Sequence, residues 1–310
     1  MTDAPLYNDL AQGPEGGRAY WVTTSDAVRL RMAVWPKGEK GTILLFPGRS
    51  EYIEKYGRSV GEFASRGYGS VVIDWRGQGL STRPSPDRMV GHVDEFSSYQ
   101  KDLKAVLTKV HELCLPGPFY LVAHSMGGCI GLRALTLGLD VKAAVFSAPM
   151  WGIRMAPGLA PVARALSRTA RAFGQGQRYA PGTTGDSYVA TFPFMGNVLT
   201  RDAETYAWLK HQLAEQPDLA LGGPSLHWLE EAMHECTGLA RLPSPDVPCL
   251  CFLGAEEKVV DPAPIHARMA HWPKGKLEIV PNAEHEIMME VPATRTRFYD
   301  MSAALFAQNP

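Results

Sequence analysis

Short apolar runs alternate along this chain with longer segments in which apolar residues recur every three or four positions. The short runs predict strands at Val28–Trp35, Gly41–Phe46, Ser70–Asp74, Phe119–His124, Val141–Ser147, Val247–Leu253 and Lys276–Val280. Between two of these runs, the apolar residues from Phe96 to Val110 share one face of a predicted helix. This alternation is typical of an α/β fold, with a mostly parallel central sheet flanked by helices.

The alternation breaks off between residues 148 and 244. This segment is rich in Gly, Pro, Trp and Met, and helical patterns such as Val162–Phe173 and Ala203–Leu213 are separated by helix breakers. Strands and helices alternate again afterwards, with helices predicted at Pro262–His271 and near Thr294–Phe306. We therefore expect a core formed by residues 1–147 and 245–310, with a helical insertion at residues 148–244.

The segment A-H-S-M-G-G at 123–128 follows a predicted buried strand and opens a helical stretch. A serine in a sharp turn from strand to helix is typical of a nucleophile elbow. The residues two positions before and after the serine must be small, because the backbones pass close to each other there. Ala123 and Gly127 meet this requirement, so the segment predicts Ser125 as a nucleophile.

A serine hydroxyl becomes a good nucleophile when a histidine, oriented by a carboxylate, takes its proton. After a nucleophile elbow the chain order is serine, acid, histidine, so only His266, His271 and His285 lie late enough. His266 falls within a helical pattern and His271 precedes a Trp-Pro turn, whereas His285 lies in a loop after a predicted strand. We therefore predict His285 as the general base.

Three carboxylates follow the predicted strand that ends near Leu253, namely Glu256, Glu257 and Asp261. The carboxylate fixes the tautomer of the imidazole and stabilises the imidazolium, which Glu can do as well as Asp. Asp261 directly precedes Pro262 and is placed to cap the next helix. We favour Glu257 as the acid and keep Asp261 as the second candidate.

Two preorganised N–H donors must stabilise the oxyanion of a tetrahedral intermediate. The backbone N–H of Met126, at the start of the helix, is one predicted donor. The other is the backbone N–H of Arg49, in the loop Pro47–Ser50 that follows an early strand. A Pro-Gly pair is also typical of ordinary turns. It therefore predicts an oxyanion donor only in combination with the predicted nucleophile Ser125.

Three further motifs lie in a fixed order along the chain. They are P-G-R-S-E-Y-I-E-K-Y at 47–56, D-W-R-G-Q-G-L-S at 74–81 and N-A-E-H-E at 282–286. The first resembles the oxyanion-loop motif, with Glu51 and Tyr56 at matching positions, and the second matches D-x-R-G-x-G-x-S. Together with the elbow, they resemble the bacterial lysophospholipase and monoacylglycerol lipase branch of the α/β-hydrolase superfamily, whose relatives include serine aminopeptidases.

The resemblance implies the α/β-hydrolase fold with a helical cap over the serine. It implies cleavage of a carboxylic ester of a small lipid through an acyl-enzyme, by a lysophospholipase or a monoacylglycerol lipase, without a cofactor or metal. The chain departs from the pattern at Pro47, where monoacylglycerol lipases usually carry His, and at Glu257, where the fold usually carries Asp. We interpret Asp74 and Arg76 as structural residues that hold loops by hydrogen bonds.

Apolar residues at the start of the insertion can either line a site for the acyl chain or pack the cap onto the core. The candidates for substrate binding are Met150, Trp151, Ile153, Met155 and Leu159. Five arginines without any acidic residue follow between Ala148 and Gly185, namely Arg154, Arg164, Arg168, Arg171 and Arg178. A phosphate head group or transient contact with an anionic membrane surface would suit them, and a solvated helix face is the ordinary alternative.

Composition gives information on the kind of partner that the protein binds and on its cellular compartment. A formal net charge of -1 argues against a nucleic-acid partner. Five cysteines without a C-x-x-C pair favour buried thiols in a reducing compartment. Residues 1–17 lack the pattern of a signal peptide, and no apolar run is long enough to span a bilayer, so we expect a cytoplasmic protein.

Two other functions remain open on the sequence. An aminopeptidase of the same fold would need cap carboxylates to hold a substrate ammonium, and four are available: Glu204, Glu230, Glu231 and Glu235. A non-catalytic binding protein on the same scaffold would typically lose the nucleophile or the base, and this chain keeps both.

Overall fold

The computed structural model describes residues 3–36, 38–156 and 158–310, except for the side chains of Leu159 and Ala160. Within these residues nine strands form one sheet, in the order β1-β2-β3-β5-β4-β6-β7-β8-β9. Their bounds are β1 Asp3–Ala4, β2 Arg18–Thr23, β3 Arg29–Trp35, β4 Thr42–Phe46, β5 Gly69–Asp74, β6 Phe119–His124, β7 Ala144–Ser147, β8 Cys249–Gly254 and β9 Gly275–Val280.

The sheet is parallel from β5 to β9, and β1, β2 and β3 extend it as an antiparallel edge. Every residue of β4, β5, β7 and β8 is buried, as expected for strands that helices cover on both faces. The carboxyl ends of the parallel strands meet at one edge of the sheet, where open α/β sheets bind their ligands.

Helices connect the strands. Four of the described helices lie between β7 and β8, where a single crossover helix would be enough to connect two parallel strands. The helices are α1 Asn8–Ala11, α2 Gly57–Ser65, α3 Ser98–Glu112, α4 Met126–Thr136, α5 Leu159–Ala172, α6 Tyr188–Thr191, α7 Ala203–Glu215, α8 Leu226–Ala240, α9 Pro262–Met269 and α10 Pro292–Ala307. Short 3₁₀ helices span Ile53–Tyr56, Pro217–Leu219 and Ile287–Met289.

The hydrophobic core is divided between the two faces of the sheet, because successive strand residues point to opposite sides. On β4, Leu44 belongs to a cluster that includes Ile130 of α4. Its neighbour Leu45 belongs to a second cluster, which includes Phe63 of α2 and Phe298 of α10. The two clusters fix the sheet between layers of helices, so the loops at its carboxyl edge start from rigid strands.

The seven predicted strands are present, although β7 begins at Ala144 and is shorter than the predicted run from Val141. The sequence did not predict β1 and β2, which lie at the antiparallel edge, where burial is mixed. All five cysteines are free, and four are buried, but Cys114 is exposed in the turn after α3, contrary to the expectation of buried thiols. None of the described helices has the length and hydropathy of a membrane-spanning segment.

Candidate active site

Ser125 occupies the sharp turn between β6 and α4. Its backbone has φ 49° and ψ −118°, a conformation that side-chain-bearing residues rarely adopt. Two glycines allow the start of α4 to lie close to the neighbouring backbone. A Cβ atom on Gly127 would lie 2.1 Å from the carbonyl oxygen of Phe46, and a Cβ atom on Gly128 would lie 2.5 Å from Cβ of Pro149. The strained turn therefore depends on the small residues that the sequence places after the serine.

His285 and Glu257 form a buried hydrogen bond from two neighbouring loops. Nδ1 of His285, after β9, lies 2.8 Å from Oε2 of Glu257, after β8. The other carboxylate oxygen, Oε1, accepts the backbone N–H groups of Val259 and Val260 at 2.6 and 3.0 Å. Burial opposes ionisation of Glu257, but His285 and these N–H groups lower the pKa of its carboxyl. The ionised carboxylate holds the proton of the neutral imidazole on Nδ1 and leaves Nε2 as an acceptor.

Asp261, the second candidate for the acid, has a different partner. Its side chain caps α9 by accepting the backbone N–H of Ala263 at 3.0 Å. The two other late histidines, His266 and His271, are exposed. The structure thus brings Glu257, and not Asp261, to His285.

Ser125 and His285 line one cavity of about 390 Å³, which is within the usual size range of ligand pockets. Ser125 follows β6, and the loops of Glu257 and His285 follow β8 and β9, so all three residues lie at the carboxyl edge of the sheet. Residues from three separate parts of the chain therefore meet at the position where this class of sheet binds ligands.

The loop after β4 lies against Ser125, since a Cβ on Gly48 would be 3.1 Å from Cβ of the serine. Within the described parts of the chain, neither the Arg49 nor the Met126 backbone N–H donates to a protein acceptor. Both predicted oxyanion donors therefore have no protein partner in these parts of the chain, and a donor that is to bind a substrate oxyanion must be free in this way.

Two side chains from the segment 74–81 hold this loop in place, and the sequence did not single them out. The indole N–H of Trp75 donates to the carbonyl of Pro47 at 3.0 Å. Nε2 of Gln78 donates to the carbonyl of Gly48 at 2.8 Å, and its Oε1 accepts the N–H of Ser50 at 3.3 Å. Both residues stand at variable positions of D-x-R-G-x-G-x-S, which is why the motif gave no signal for them.

Asp74 and Arg76 tie loops together, as expected. The Asp74 carboxylate accepts the N–H of Ile53 at 2.8 Å and the Nε–H of Arg31 at 2.7 Å, and all three groups are buried. The guanidinium of Arg76 pairs with the carboxylate of Asp102 at 2.6 Å. These bonds fix the loops after β4 and β5 relative to each other.

A buried ionic cluster borders the cavity beside His285. Nζ of Lys55 donates to Glu51 at 2.8 Å and to Glu286 at 2.6 Å. Burial opposes charge on all three groups. The neighbouring charges prevail at two of them, raising the pKa of Lys55 and lowering that of Glu51, whereas burial prevails at Glu286 and raises its pKa. Side-chain atoms of Glu51, His124 and Glu286 lie within 4.8 Å of one another and could hold a metal ion, but the Lys55 ammonium already supplies both carboxylates with a cation.

His124, directly before the serine, packs against the candidate base. Its ring centroid lies 4.7 Å from that of His285. Its Nδ1 donates to the carbonyl of Ser147 at 2.9 Å, so Nδ1 carries the proton. Burial lowers the pKa of His124 to about 4, outweighing the nearby carboxylate of Glu51. The ring is therefore neutral at pH 7 and places no positive charge beside His285.

The predicted substrate-binding residues at the start of the segment 148–244 do not all line the cavity. Met150 and Ile153 line the cavity. Trp151 instead packs into the core, with its indole N–H donating to the carbonyl of Gly128 at 3.1 Å, and Met155 is half-buried away from the cavity. The side chain of Leu159 lies outside the described residues.

Most of the apolar wall comes from later parts of the segment 148–244, in residues that the sequence did not single out. The apolar side chains from this region that line the cavity are Tyr188, Val189, Val198, Leu199, Leu209, Leu213, Trp228 and Leu229. Within α7, Leu209 and Leu213 are four residues apart and share a face, a spacing that could have indicated this wall.

The four carboxylates of the segment 148–244 that were considered for an aminopeptidase have other partners and do not line the cavity. Three pair with arginines and the fourth accepts a backbone N–H: Glu204 with Arg58, Glu230 with Arg168, Glu235 with Arg133 and Glu231 with Phe96.

Comparisons with known proteins identify the family of this chain. Residues 37–292 match the family described as "Serine aminopeptidase, S33". The chain is 31% identical over 251 residues to a probable lysophospholipase L2 of Haemophilus influenzae, covering 80% of this chain and 78% of that protein. It is 32% identical over 269 residues to lysophospholipase L2 of Escherichia coli K12, covering 82% and 76%.

Solved structures show the same fold. A soluble variant of monoglyceride lipase from Saccharomyces cerevisiae, in complex with a substrate analog, superposes with a TM-score of 0.70 at 22% identity, covering 93% of this chain and 95% of that one. A monoacylglycerol lipase of Paleococcus ferrophilus superposes with the same TM-score at 18% identity, covering 91% and 99%. This chain is therefore a member of the serine aminopeptidase S33 family of α/β hydrolases.

Proposed function

We propose that this chain is a lipid-ester hydrolase with Ser125, His285 and Glu257 as its catalytic triad. The observation that carries the proposal is the buried hydrogen bond between Glu257 and His285, at the wall of the cavity that also contains Ser125. A carboxylate-oriented imidazole beside a serine on a strained turn is the arrangement that activates a hydroxyl for acyl transfer.

The proposed reaction has two half-reactions. Oγ of Ser125 attacks the acyl carbon while Nε2 of His285 takes the hydroxyl proton, and the N–H groups of Arg49 and Met126 stabilise the oxyanion. His285 then returns the proton to the leaving alcohol oxygen, and the ester bond breaks to give an acyl-enzyme. Water, deprotonated by His285, attacks the acyl carbon and releases the fatty acid, and the proton returns to Ser125.

We propose lysophospholipids or monoacylglycerols as the substrates. The cavity wall is largely apolar, which suits an acyl chain, and Met150 and Ile153 contribute to it. The names of the relatives from Haemophilus influenzae and Escherichia coli support the first class, and that of the yeast structure supports the second.

We further propose that residues 148–244 form a cap that contacts an anionic membrane surface through α5. This helix exposes apolar and basic side chains together, including Val162 at 60%, Leu166 at 42% and the arginines Arg164 and Arg171. Such a combination suits shallow insertion into a negatively charged lipid surface. Leu166→Glu should reduce sedimentation with phosphatidylglycerol vesicles, and unchanged sedimentation would contradict this contact.

A panel of substrates tests the function. We expect the wild type to hydrolyse a lysophospholipid and a monoacylglycerol of equal chain length much faster than a short aryl ester or an aminoacyl arylamide. Ser125→Ala should lose all of these activities. A preference for the arylamide would favour an aminopeptidase, and lipid hydrolysis that survives Ser125→Ala would contradict the assignment of the nucleophile.

A further inference from the structure

The side chain of Arg49 lies in the cavity wall close to the nucleophile, and the catalytic steps above use only its backbone N–H. Its Nη1 donates to the carbonyl of Gly222 at 2.9 Å, and its guanidinium carbon lies 5.6 Å from the ring centroid of Trp228. Trp228 lines the same cavity as Arg49 and Ser125. The segment before α8 and Trp228 of α8 itself thus hold this cation in the wall of the cavity that also contains the serine.

No carboxylate in the described part of the chain forms an ion pair with Arg49, and the bond to Gly222 is its only side-chain hydrogen bond there. The other cation in the cavity wall, Lys55, is paired with two carboxylates. Among the described residues Arg83 also has no carboxylate partner, but its guanidinium donates to four backbone carbonyls. Arg49 alone of these three keeps most of its donors free.

Arg49 is half-buried. A guanidinium that has lost part of its water and has no anion beside it is costly for the folded protein. Burial lowers the pKa of Arg49 to about 10, so the group still carries its charge at neutral pH. Its planar fork of N–H donors matches the oxygens of a phosphate, and bonds of this kind are strong because both partners are charged. The cavity therefore offers an unneutralised positive charge suited to a phosphate on the ligand.

The length of the Arg49 side chain is comparable to one part of a lysophospholipid. The backbone N–H of Arg49 is the proposed donor to the ester oxyanion, and a stem of three carbons separates that backbone from the guanidinium. In a lysophospholipid acylated at the end of glycerol, the three glycerol carbons separate the ester from the phosphate. One residue can therefore contact both groups of the same substrate molecule.

We infer that the Arg49 side chain binds the phosphate of a lysophospholipid and makes this enzyme prefer lysophospholipids to neutral monoacylglycerols. The inference rests on the proposed lipid-ester hydrolysis and names the substrate class within it. A monoacylglycerol offers the same ester and acyl chain but has no anion to bind the guanidinium.

The test compares kcat/KM for a lysophospholipid and a monoacylglycerol with the same acyl chain. In Arg49→Met, the ratio of the two values should fall about 10- to 100-fold, because a charge-assisted contact is lost while the backbone N–H remains. Arg49→Lys should keep part of the preference, since it retains the charge without the fork. Arg18→Met, which removes an exposed arginine at the sheet edge, should leave the ratio unchanged.

A ratio that is the same in Arg49→Met and wild type would overturn the inference, even if both activities fell together, because the side chain would then only shape the loop. A wild type that prefers monoacylglycerol would also overturn it, and the proposed lipid-ester hydrolysis would survive. Loss of the proposed function itself would look different: the wild type would hydrolyse neither lipid.

A binding measurement separates the lipid phosphate from free phosphate. An ether-linked lysophospholipid, which cannot be hydrolysed, should slow labelling of the wild type by a fluorophosphonate probe more than an ether-linked alkylglycerol does. In Arg49→Met this difference should shrink about 10-fold or more. If inorganic phosphate alone protected the wild type as well as the ether lipid does, the group would be a site for free phosphate, and the inference would be wrong.

Discussion

Glu257 binds His285 with one carboxylate oxygen, 2.8 Å from Nδ1, and accepts two backbone N–H groups with the other. The N–H groups belong to Val259 and Val260, within its own loop, so this loop fixes the orientation of the carboxylate. A glutamate can thus replace the usual aspartate here, because its loop satisfies the oxygen that does not face the imidazole.

Replacing Glu257 by Gln should lower kcat about 10³- to 10⁴-fold with little effect on folding. The amide cannot stabilise an imidazolium, and it can hold the imidazole in the wrong tautomer. Steady-state hydrolysis of a monoacylglycerol measures the effect. Glu256→Gln, an exposed neighbour, and Asp261→Asn, which keeps a helix cap, serve as controls that should retain activity. A larger loss of kcat in Asp261→Asn than in Glu257→Gln would show that Asp261, and not Glu257, is the acid of the triad.

The parts of the site that could be predicted from sequence are those that depend on local order. Ser125 was predictable because a strand, a small residue, a serine and two glycines follow one another, and His285 because it is the late histidine in a loop after a strand. The strands of the parallel sheet were predictable for the same reason: they are short apolar runs buried on both faces.

The rest of the site depends on contacts between distant parts of the chain. Lys55 and Glu286 are 231 positions apart, and no pattern in the sequence indicates that they pair. Trp151 was predicted to line the substrate cavity because it is large and apolar. Its indole N–H instead donates to the buried carbonyl of Gly128, so the side chain lies in the core. Pairing and side-chain direction are properties of the folded structure, and composition does not determine them.

Gly127→Ala should both destabilise the protein and inactivate it. The added Cβ would meet the carbonyl of Phe46 at 2.1 Å, and neither β4 nor α4 can move away without disturbing Ser125. We expect a loss of about 3 kcal/mol or more in the free energy of unfolding, measured by urea titration. In Gly61→Ala, on α2, the added Cβ meets only Pro14 at 4.0 Å, so stability should rise slightly. Wild-type stability and activity in Gly127→Ala would contradict the tight elbow.

Gln78→Ala should lower kcat about 10- to 100-fold, because the loop that carries Arg49 loses its hydrogen bonds to Gln78, keeps from the same segment only the one to Trp75, and the oxyanion donor moves. The substitution should change kcat more than it changes KM. Gln78→Glu keeps the size and the acceptor for Ser50 but loses the donor to Gly48, so it should be similarly slow. Gln100→Ala removes a glutamine that joins α3 to α4 and should leave kcat unchanged. Equal losses of kcat in Gln78→Ala and Gln100→Ala would mean that both substitutions act only through the stability of the protein, and would contradict the role of Gln78 in the oxyanion loop.

Stability should fall between pH 6.5 and about pH 4 because of His124. Burial lowers the pKa of this imidazole from 6.5 to about 4 in the folded protein. In this interval the unfolded chain binds a proton on His124 and the folded chain does not, so the free energy of unfolding decreases as the pH falls. The full effect is about 3 kcal/mol. His124→Asn keeps an N–H donor and cannot titrate, so urea titrations from pH 7 to pH 4 should give it a shallower decline. If the free energy of unfolding declined equally steeply with falling pH in the wild type and in His124→Asn, the lowered pKa of His124 would be contradicted.

The most direct measurement of the central claim is the mass-spectrometric location of a covalent fluorophosphonate adduct. The probe phosphonylates an activated serine, and the nucleophile needs both its strained turn and the imidazole nearby. We expect a single adduct on the peptide that contains Ser125, formed much more slowly in His285→Ala and absent in Ser125→Ala. An adduct on another serine, or one formed equally fast without His285, would contradict the proposed active site.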